Sequence, residues 1–256
     1  EALTALEKVK GYQLVKDYVS MFDGTNKNST EAIFERQFSD NSANGAFYRT
    51  ALHYWMAASE LGGWDEILPT TMLMNEFKKE GKIATTGNYD SRLYNTIFFK
   101  DPYFNDAANP RIFGETYDDK FGATDKPVFR KHLPSTQEKM DAEFTGLNVP
   151  LMRYSNVLLM KAEALNELTR TGEAIPFINL VRDRADMPAM VGNSYDLVKA
   201  QIEHERIIEF PLENFRFYDL RRWGKTKSAL DAVGRTGFDP TKNNFYPIPL
   251  TETQAD

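Results

Sequence analysis

The sequence predicts a mainly α-helical protein built from helical hairpins, with a long loop-rich insertion. Three observations predict it. Leu151, Tyr154, Leu158, Ala162, Leu165 and Leu168 recur on one face, the spacing of a helix of about four to five turns. Ala174, Phe177, Ile178 and Val181 repeat the pattern after a break at Thr171-Gly172, and two such helices joined by a short turn form an αα-hairpin. Residues 62–150, by contrast, are rich in Gly, Pro, Asn and Asp, with turn signals such as "NPRIFGETYDD" and "GATDKP". A long stretch of weak periodicity on a rigid scaffold is where function tends to concentrate.

Taken in order, Leu3, Leu6 and Val9 have helical spacing that Gly11 interrupts, and Leu14, Tyr18, Val19 and Phe22 follow. A polar turn at Asp23–Thr30 leads to Ile33, Phe34 and Phe38, which read equally as strand or short helix. Residues 46–61 read as one helix with two apolar stripes. One stripe is Phe47, Ala51, Tyr54, Ala58 and Leu61; the other is Tyr48, Leu52, Trp55 and Ser59. Gly62 and Gly63 stop it, because Gly suits the left-handed cap, and Trp64 comes just past the stop. A helix is expected near Thr70–Lys79, with a few short strands elsewhere in the insertion. Pro176 belongs near the first turn of its helix, where its missing N–H costs nothing. A third helix starts with Ser194 as N-cap, runs from Leu197 to Glu209 and ends by Pro211. Pro247 and Pro249 mark an extended tail.

Composition narrows the function. The 256 residues carry a net charge of −6, with 41% hydrophobic and 27% charged residues, ordinary for a globular domain. An acidic chain lacks the basic stripe that neutralises nucleic-acid phosphates and fits anionic lipid poorly. There are no cysteines, which excludes disulfides, thiolate nucleophiles and Cys-ligated zinc. No apolar run approaches the roughly 18 residues of a membrane span. The one excess is aromatic: 18 Phe, 12 Tyr and 3 Trp. Most of these belong to a core; exposed indole and phenol rings also stack on the apolar face of a pyranose.

Chemistry-bearing motifs are weak. Glu205 and Glu209 share a helix face at i, i+4, the kind of carboxylate pair a glycosidase uses. With Glu203 and Arg206 beside them, an ion-pair network or a solvated face is the reading that helix geometry favours. His53, His132 and His204 have no metal spacing and no H-E-x-x-H. Gly62-Gly63 lacks the rest of a phosphate loop, and no G-x-S-x-G frames a serine. Asp118-Asp119 lacks the ligand spacing of a calcium loop and reads as a surface turn. In "RFYDLRRWGK", arginine packed on Trp223 and paired with Asp219 is favoured over nucleic-acid contact. No catalytic residue, metal or cofactor is expected.

Five blocks in order carry a family resemblance: "RYSNVLLMKAEALNEL" (153–168), "AIPFINLVRDRADMP" (174–188), "IEHERIIEF" (202–210), "ENFRFYDLRRWGK" (213–225) and "FYPIPLTE" (245–252). Together they resemble the C-terminal signature of the SusD/RagB family, and "YQLVKDYVSMF", "NSTEAIFERQF" and "YDSRLYNTIFF" resemble its middle region. Asn214 stands where the family usually has Gly; Asn is the next-best residue for a left-handed position. Pro176 stands where most members continue a helix. The resemblance implies a tetratricopeptide-like αα superhelix and a single domain fragment over 1–256: the end of the helical repeats at 1–22, a loop-rich lobe at 23–150 and a C-terminal helical region at 151–256. Both ends read as trimmed.

The resemblance further implies a surface-exposed outer-membrane lipoprotein, its lipid anchor lying outside this chain, that binds oligosaccharides and passes them to a SusC-like TonB-dependent transporter without breaking bonds. The alternatives are a glycoside hydrolase using Glu205 and Glu209, and a peptide-uptake subunit or adhesin. The family blocks are structural and carry no ligand residue over. On the residues alone, Trp64 leads the binding candidates, followed by Trp55 and Tyr48, then Tyr89 and Asn88 in "TTGNYDSR"; the alternative for each is core or loop packing. Glu205, Arg206 and Glu209 are expected to form a partly buried network with Arg216, Asp219 and Arg222.

Overall fold

A computed structural model describes residues 1–41 and 48–253. The chain divides into two compact units, residues 1–209 and 210–256. The first opens with α1 (Ala2–Leu6), a 3₁₀ turn at Tyr18–Met21 and β1 (Ala32–Arg36). Next come α2 (Leu52–Met56), α3 (Thr71–Lys78) and α4 (Ser91–Thr96), which runs directly into β2 (Ile97–Phe98). They are followed by α5 (Tyr117–Phe121), β3 (Val128–Phe129), α6 (Gln137–Met140) and β4 (Val149–Arg153). Three long helices complete the unit: α7 (Tyr154–Glu167), α8 (Thr171–Arg184) and α9 (Tyr195–Glu209). Two small antiparallel pairings, β1 with β4 and β2 with β3, are its sheet content among the described residues. No helix there is long and apolar enough to cross a membrane.

The long helices follow from their apolar faces. Ala162 and Leu165 of α7, Ala174 and Ile178 of α8, and Val198 and Ile202 of α9 form one buried cluster. At roughly 1.5–3 kcal/mol per large apolar side chain removed from water, this cluster holds the three helices together. Ser194 caps α9 as expected, its Oγ accepting from the Leu197 N–H. Three details differ from expectation. Leu151 lies in β4, where pairing of Arg36 with Val149 and Phe34 with Met152 claims the backbone. The break before α8 sits at Thr169, in the left-handed region at φ 59°, so Thr171 and Gly172 already belong to the helix. Pro176 is the sixth residue of α8 and lies in its second turn; helix packing overrides a local preference.

The predicted helix over 46–61 is mostly absent. Residues 42–47, and with them Phe47, lie outside the described residues. The Tyr48 carbonyl accepts from the Ser39 N–H, and Thr50 exchanges both backbone bonds with Thr145 at 2.7 and 2.8 Å. Backbone groups engaged across the chain cannot serve a helix, so α2 begins only at Leu52. At its other end Ala57 and Ala58 turn extended, with ψ 149° and 158°.

Beneath these elements lies a buried ionic network. Glu205 and Glu209 on α9 have no exposed surface. Arg92 of α4 holds Asp90 through two nitrogens, at 3.0 and 2.6 Å. The same guanidinium sets Nη1 at 2.7 Å from Glu205 and 3.3 Å from Glu209. Arg153, closing β4, bridges Glu31 and Glu209. Arg184 of α8 reaches the same two acids. Arg182 reaches Glu80 and Glu205, each pair at 2.7 Å. Tyr18 Oη donates to the Glu209 carbonyl at 2.7 Å and accepts from the buried Lys131 ammonium at 2.8 Å. Planar, always-charged guanidiniums suit such a site, since each presents several donors in fixed directions. The expected partners of Glu205 and Glu209 are thereby corrected. The carboxylate oxygens are taken up by Arg92, Arg153, Arg182 and Arg184, and Arg206 donates to Asn156 Oδ1 at 2.8 Å.

The second unit carries α10 (Arg216–Arg222), α11 (Thr226–Asp231) and α12 (Leu250–Thr253). Asn214 adopts the left-handed conformation at φ 63°, as Asn in place of Gly allows. Arg222 pairs with Asp219 at 3.0 Å and lies 4.7 Å from the Trp223 ring centroid, the arrangement expected from the sequence.

Replacing Glu209 with Ala strands buried guanidiniums, and breaking a buried pair from one side costs about 3–5 kcal/mol. Urea unfolding of Glu209→Ala is expected to show a loss of that size. A loss below about 1 kcal/mol, the ceiling typical of surface pairs, would mean the network carries little of the fold.

Candidate functional site

The structure brings two of the three indoles together on the surface. After α2, Ser59–Leu61 form a 3₁₀ turn that Gly62 caps at φ 85°. Gly63 then lies against the Ala57 backbone so closely that a Cβ there would sit 2.1 Å from the Ala57 carbonyl oxygen. That approach folds the chain back on the helix, and the Trp64 N–H donates to the Tyr54 carbonyl at 2.9 Å. The Trp64 ring stacks on Tyr54 at 5.5 Å and 17°. It meets Trp55 at 4.8 Å and 78°. Trp55 and Trp64 are nevertheless 47% and 50% exposed. Lys126 clamps the turn from outside, with its ammonium 2.8 Å from Glu60 and 3.0 Å from Asp65. The outcome is an indole pair held on a short, tied turn and open to water, an arrangement suited to apolar ring faces.

The remaining candidates lie elsewhere. Tyr48 is 58% exposed, but it precedes α2 and does not share a helical stripe with Trp55. Tyr89 and Asn88 line a cavity of about 140 Å³ whose walls include Tyr94, Asn95 and Tyr103 and neither indole. Lys78 and Lys82 lie 5.6 and 5.1 Å from the Tyr89 ring centroid. Reasoning from sequence assigned Tyr54 to a core stripe and passed over Tyr94, Asn95 and Tyr103. The density of tyrosines between 89 and 103 was the available signal.

The acidic groups are built into the scaffold. Burial works against charge on Glu209, yet Arg184, Arg153 and Arg92 hold its carboxyl well below the usual carboxylate range. Burial likewise opposes the charge of Glu205, and Arg92 and Arg182 pull its carboxyl down. Glu76 is lowered to about 2, chiefly by the hydrogen bond from His204. Nδ1 lies 2.7 Å from Glu76 Oε1, and a carboxylate only accepts, so the ring nitrogen donates. Glu80 is lowered to about 2, with Arg182 and Gln201 overcoming burial.

One ligand atom from each of Glu80, His204 and Glu205 falls within 4.8 Å of the others. The Arg182 guanidinium already bridges the two acids of this group, supplying the positive charge a cation would bring. His53 is buried with Nε2 3.0 Å from the Ala142 carbonyl, and burial pushes its imidazole down. Asp118 and Asp119 open α5. Asp119 completes a capping box with Thr116, and Asp118 pairs with Lys100 at 3.0 Å.

Comparison with known proteins places these features in context. The model of the SusD family matches residues 30–255. SusD-like protein P38 of Formosa agariphila is 26% identical over 208 residues, covering 76% of this chain and 38% of that protein. A SusD superfamily protein from Bacteroides vulgatus superposes with a TM-score of 0.81 at 28% identity, over 98% of this chain and 55% of that one. Surface glycan-binding protein A from Bacteroides thetaiotaomicron, solved in complex with laminarihexaose, shares the fold. Its TM-score is 0.68 at 24% identity, over 98% of this chain and 56% of that one. The chain thus spans about half or less of the length of these relatives. The mainly helical architecture is the tetratricopeptide-like one of that superfamily.

Two outcomes follow from this geometry. Gly63→Ala forces the turn off Ala57 and is expected to abolish the Trp55–Trp64 exciton couplet in circular dichroism. Gly62→Ala, where nothing lies within 4 Å, costs only the roughly 1–2 kcal/mol of a left-handed residue and keeps the couplet. The lowered acids set an acid limit. A depressed carboxyl contributes its stability above the unfolded value of 4.5 and loses it as pH falls toward about 2. Stability measured by urea titration should therefore decline between about pH 4.5 and 2, and a flat profile there would contradict the assignment.

Proposed function

The chain belongs to the SusD family, and from that premise we propose that it binds oligosaccharides at a bacterial cell surface and makes or breaks no bond in them. The observation that carries the reading is the half-exposed Trp55–Trp64 pair on its tied turn. Trp64 and Trp55 supply ring faces for a pyranose. Tyr48 flanks them in sequence, and Tyr89 with Asn88 supplies a separate contact. A shallow, preformed surface costs little ordering on binding.

The residues 1–256 form, in this reading, one fragment of a SusD-like domain within an outer-membrane, surface-exposed lipoprotein. Its partner is a SusC-like TonB-dependent transporter that receives the captured glycan. Burial and arginine pairing of Glu205 and Glu209 speak against a hydrolase, since a general acid must reach the glycosidic oxygen.

Calorimetry against a glycan panel that includes laminarihexaose tests the reading. An aromatic contact is worth about 0.5–1.5 kcal/mol beyond its area, so Trp64→Ala and Trp55→Ala are each expected to weaken binding by about tenfold with the circular dichroism of the fold retained. Unchanged affinity in both variants would displace the site. Release of reducing ends that disappears in Glu205→Gln would replace the binding role with catalysis.

A further inference from the structure

A cavity beside α4 is lined by neither indole. It is walled by Tyr89, Tyr94 and Tyr103 and edged by Asn88, Asn95 and Asp186. Its volume of about 140 Å³ falls well below the roughly 300–1,000 Å³ of sites that enclose drug-sized ligands, so it has room to enclose one small ring. Tyr94 and Tyr103 pack with centroids 4.6 Å apart, and Arg111 lies 4.3 Å from the outer Tyr103 ring. Ring walls of this kind offer apolar surface with polar edges.

The amides decide the ligand class. Asn95 sits inside α4, where Asn is a poor helix former. Among the described residues, neither its side-chain amide nor that of Asn88 is tied by a hydrogen bond. Both amides are partly exposed, so a ligand can take the place of water there, and each offers both donors and acceptors, the pairing that adjacent hydroxyls of a sugar satisfy. The one acid at the rim, Asp186, is engaged by Lys16 at 2.5 Å, so the cavity presents neutral groups to a ligand.

The walls are fixed from beneath. Asp90 caps α4 and holds Arg92, Ser91 Oγ donates to the Ala185 carbonyl at 2.9 Å, and the Tyr89 N–H donates to Tyr94 Oη at 3.3 Å. We infer that this cavity is a second saccharide site, which takes a single neutral pyranose through Asn88 and Asn95 and works apart from the indole pair. The inference rests on the saccharide-binding reading above and adds to it a site selective for one ring, such as a chain end or a side branch.

Saturation-transfer NMR with a panel of methyl hexopyranosides and methyl pentopyranosides tests it. Wild type is compared with the double variants Asn88→Ala/Asn95→Ala and Trp55→Ala/Trp64→Ala. The first should fold, since Ala is the better helix residue at 95. At least one methyl glycoside is expected to bind wild type and the indole variant alike, and to bind the amide variant about tenfold more weakly, the loss of a hydrogen-bonded pair. Binding unaffected by the amides, or abolished with the indoles, overturns the inference. Oligosaccharide binding in calorimetry without response to any single ring overturns the inference alone and leaves the saccharide-binding reading standing. No response to any saccharide, short or long, overturns both.

Discussion

The carboxylate of Glu209 is the fixed point of the 1–209 unit. A buried charge is tolerated only when paired and hydrogen-bonded, and this one draws Arg92, Arg153 and Arg184 onto a single helix end. Each arginine comes from a different element: α4, the end of β4, and α8. One residue's charge requirement therefore sets where the loop-rich lobe meets the helical array. Glu205 extends the same logic one turn earlier, linking Arg92 and Arg182. Through Arg182 and His204 it also ties in Glu80 and Glu76, at the end of α3.

That constraint separates two kinds of side chain. The acids are withdrawn from solvent and neutralised, and their free energy goes into positioning. The exposed indole pair sits where α2 meets a short turn whose geometry comes from backbone contact: Gly63 on Ala57, Trp64 on Tyr54. The loop between α3 and α4 is tied to α9 directly through Glu80 and Gln201 and indirectly through Asp90 and Arg92, and the tyrosine-lined cavity rests on the buried rings of Phe99 and Phe104.

How much of this was legible in the sequence depended on the range of the forces involved. Helices α7, α8 and α9 were readable because a buried face imposes a period near 3.6 on residues such as Leu158, Ala162 and Leu165, and Asn214 was readable as a left-handed substitute for Gly. The 46–61 segment was misjudged because its fate is decided by Thr145, some ninety residues away, whose backbone takes the bonds a helix would have used. The importance of Glu205 and Glu209 was visible as charge on one face. Their partners were not, since Arg92 and Arg153 reach them only through the folded chain. Trp64 was singled out by the preceding Gly-Gly; Tyr54, its stacking partner, was hidden in an apparent core stripe. Asn88 and Tyr89 were singled out from a loop signature, whereas Asn95 and Tyr103 share their cavity only in three dimensions.

The Glu/Arg network is scaffold, and the ring-bearing surface is the face we propose for ligand. Hydrogen–deuterium exchange with and without a bound oligosaccharide separates the two roles. New protection is expected in peptides spanning residues 52–65 and 83–103, while the amides of α9 around Glu205 and Glu209, already protected in the free protein, do not change. Ligand-dependent exchange centred on α9, with residues 52–65 unaffected, would contradict that division of roles.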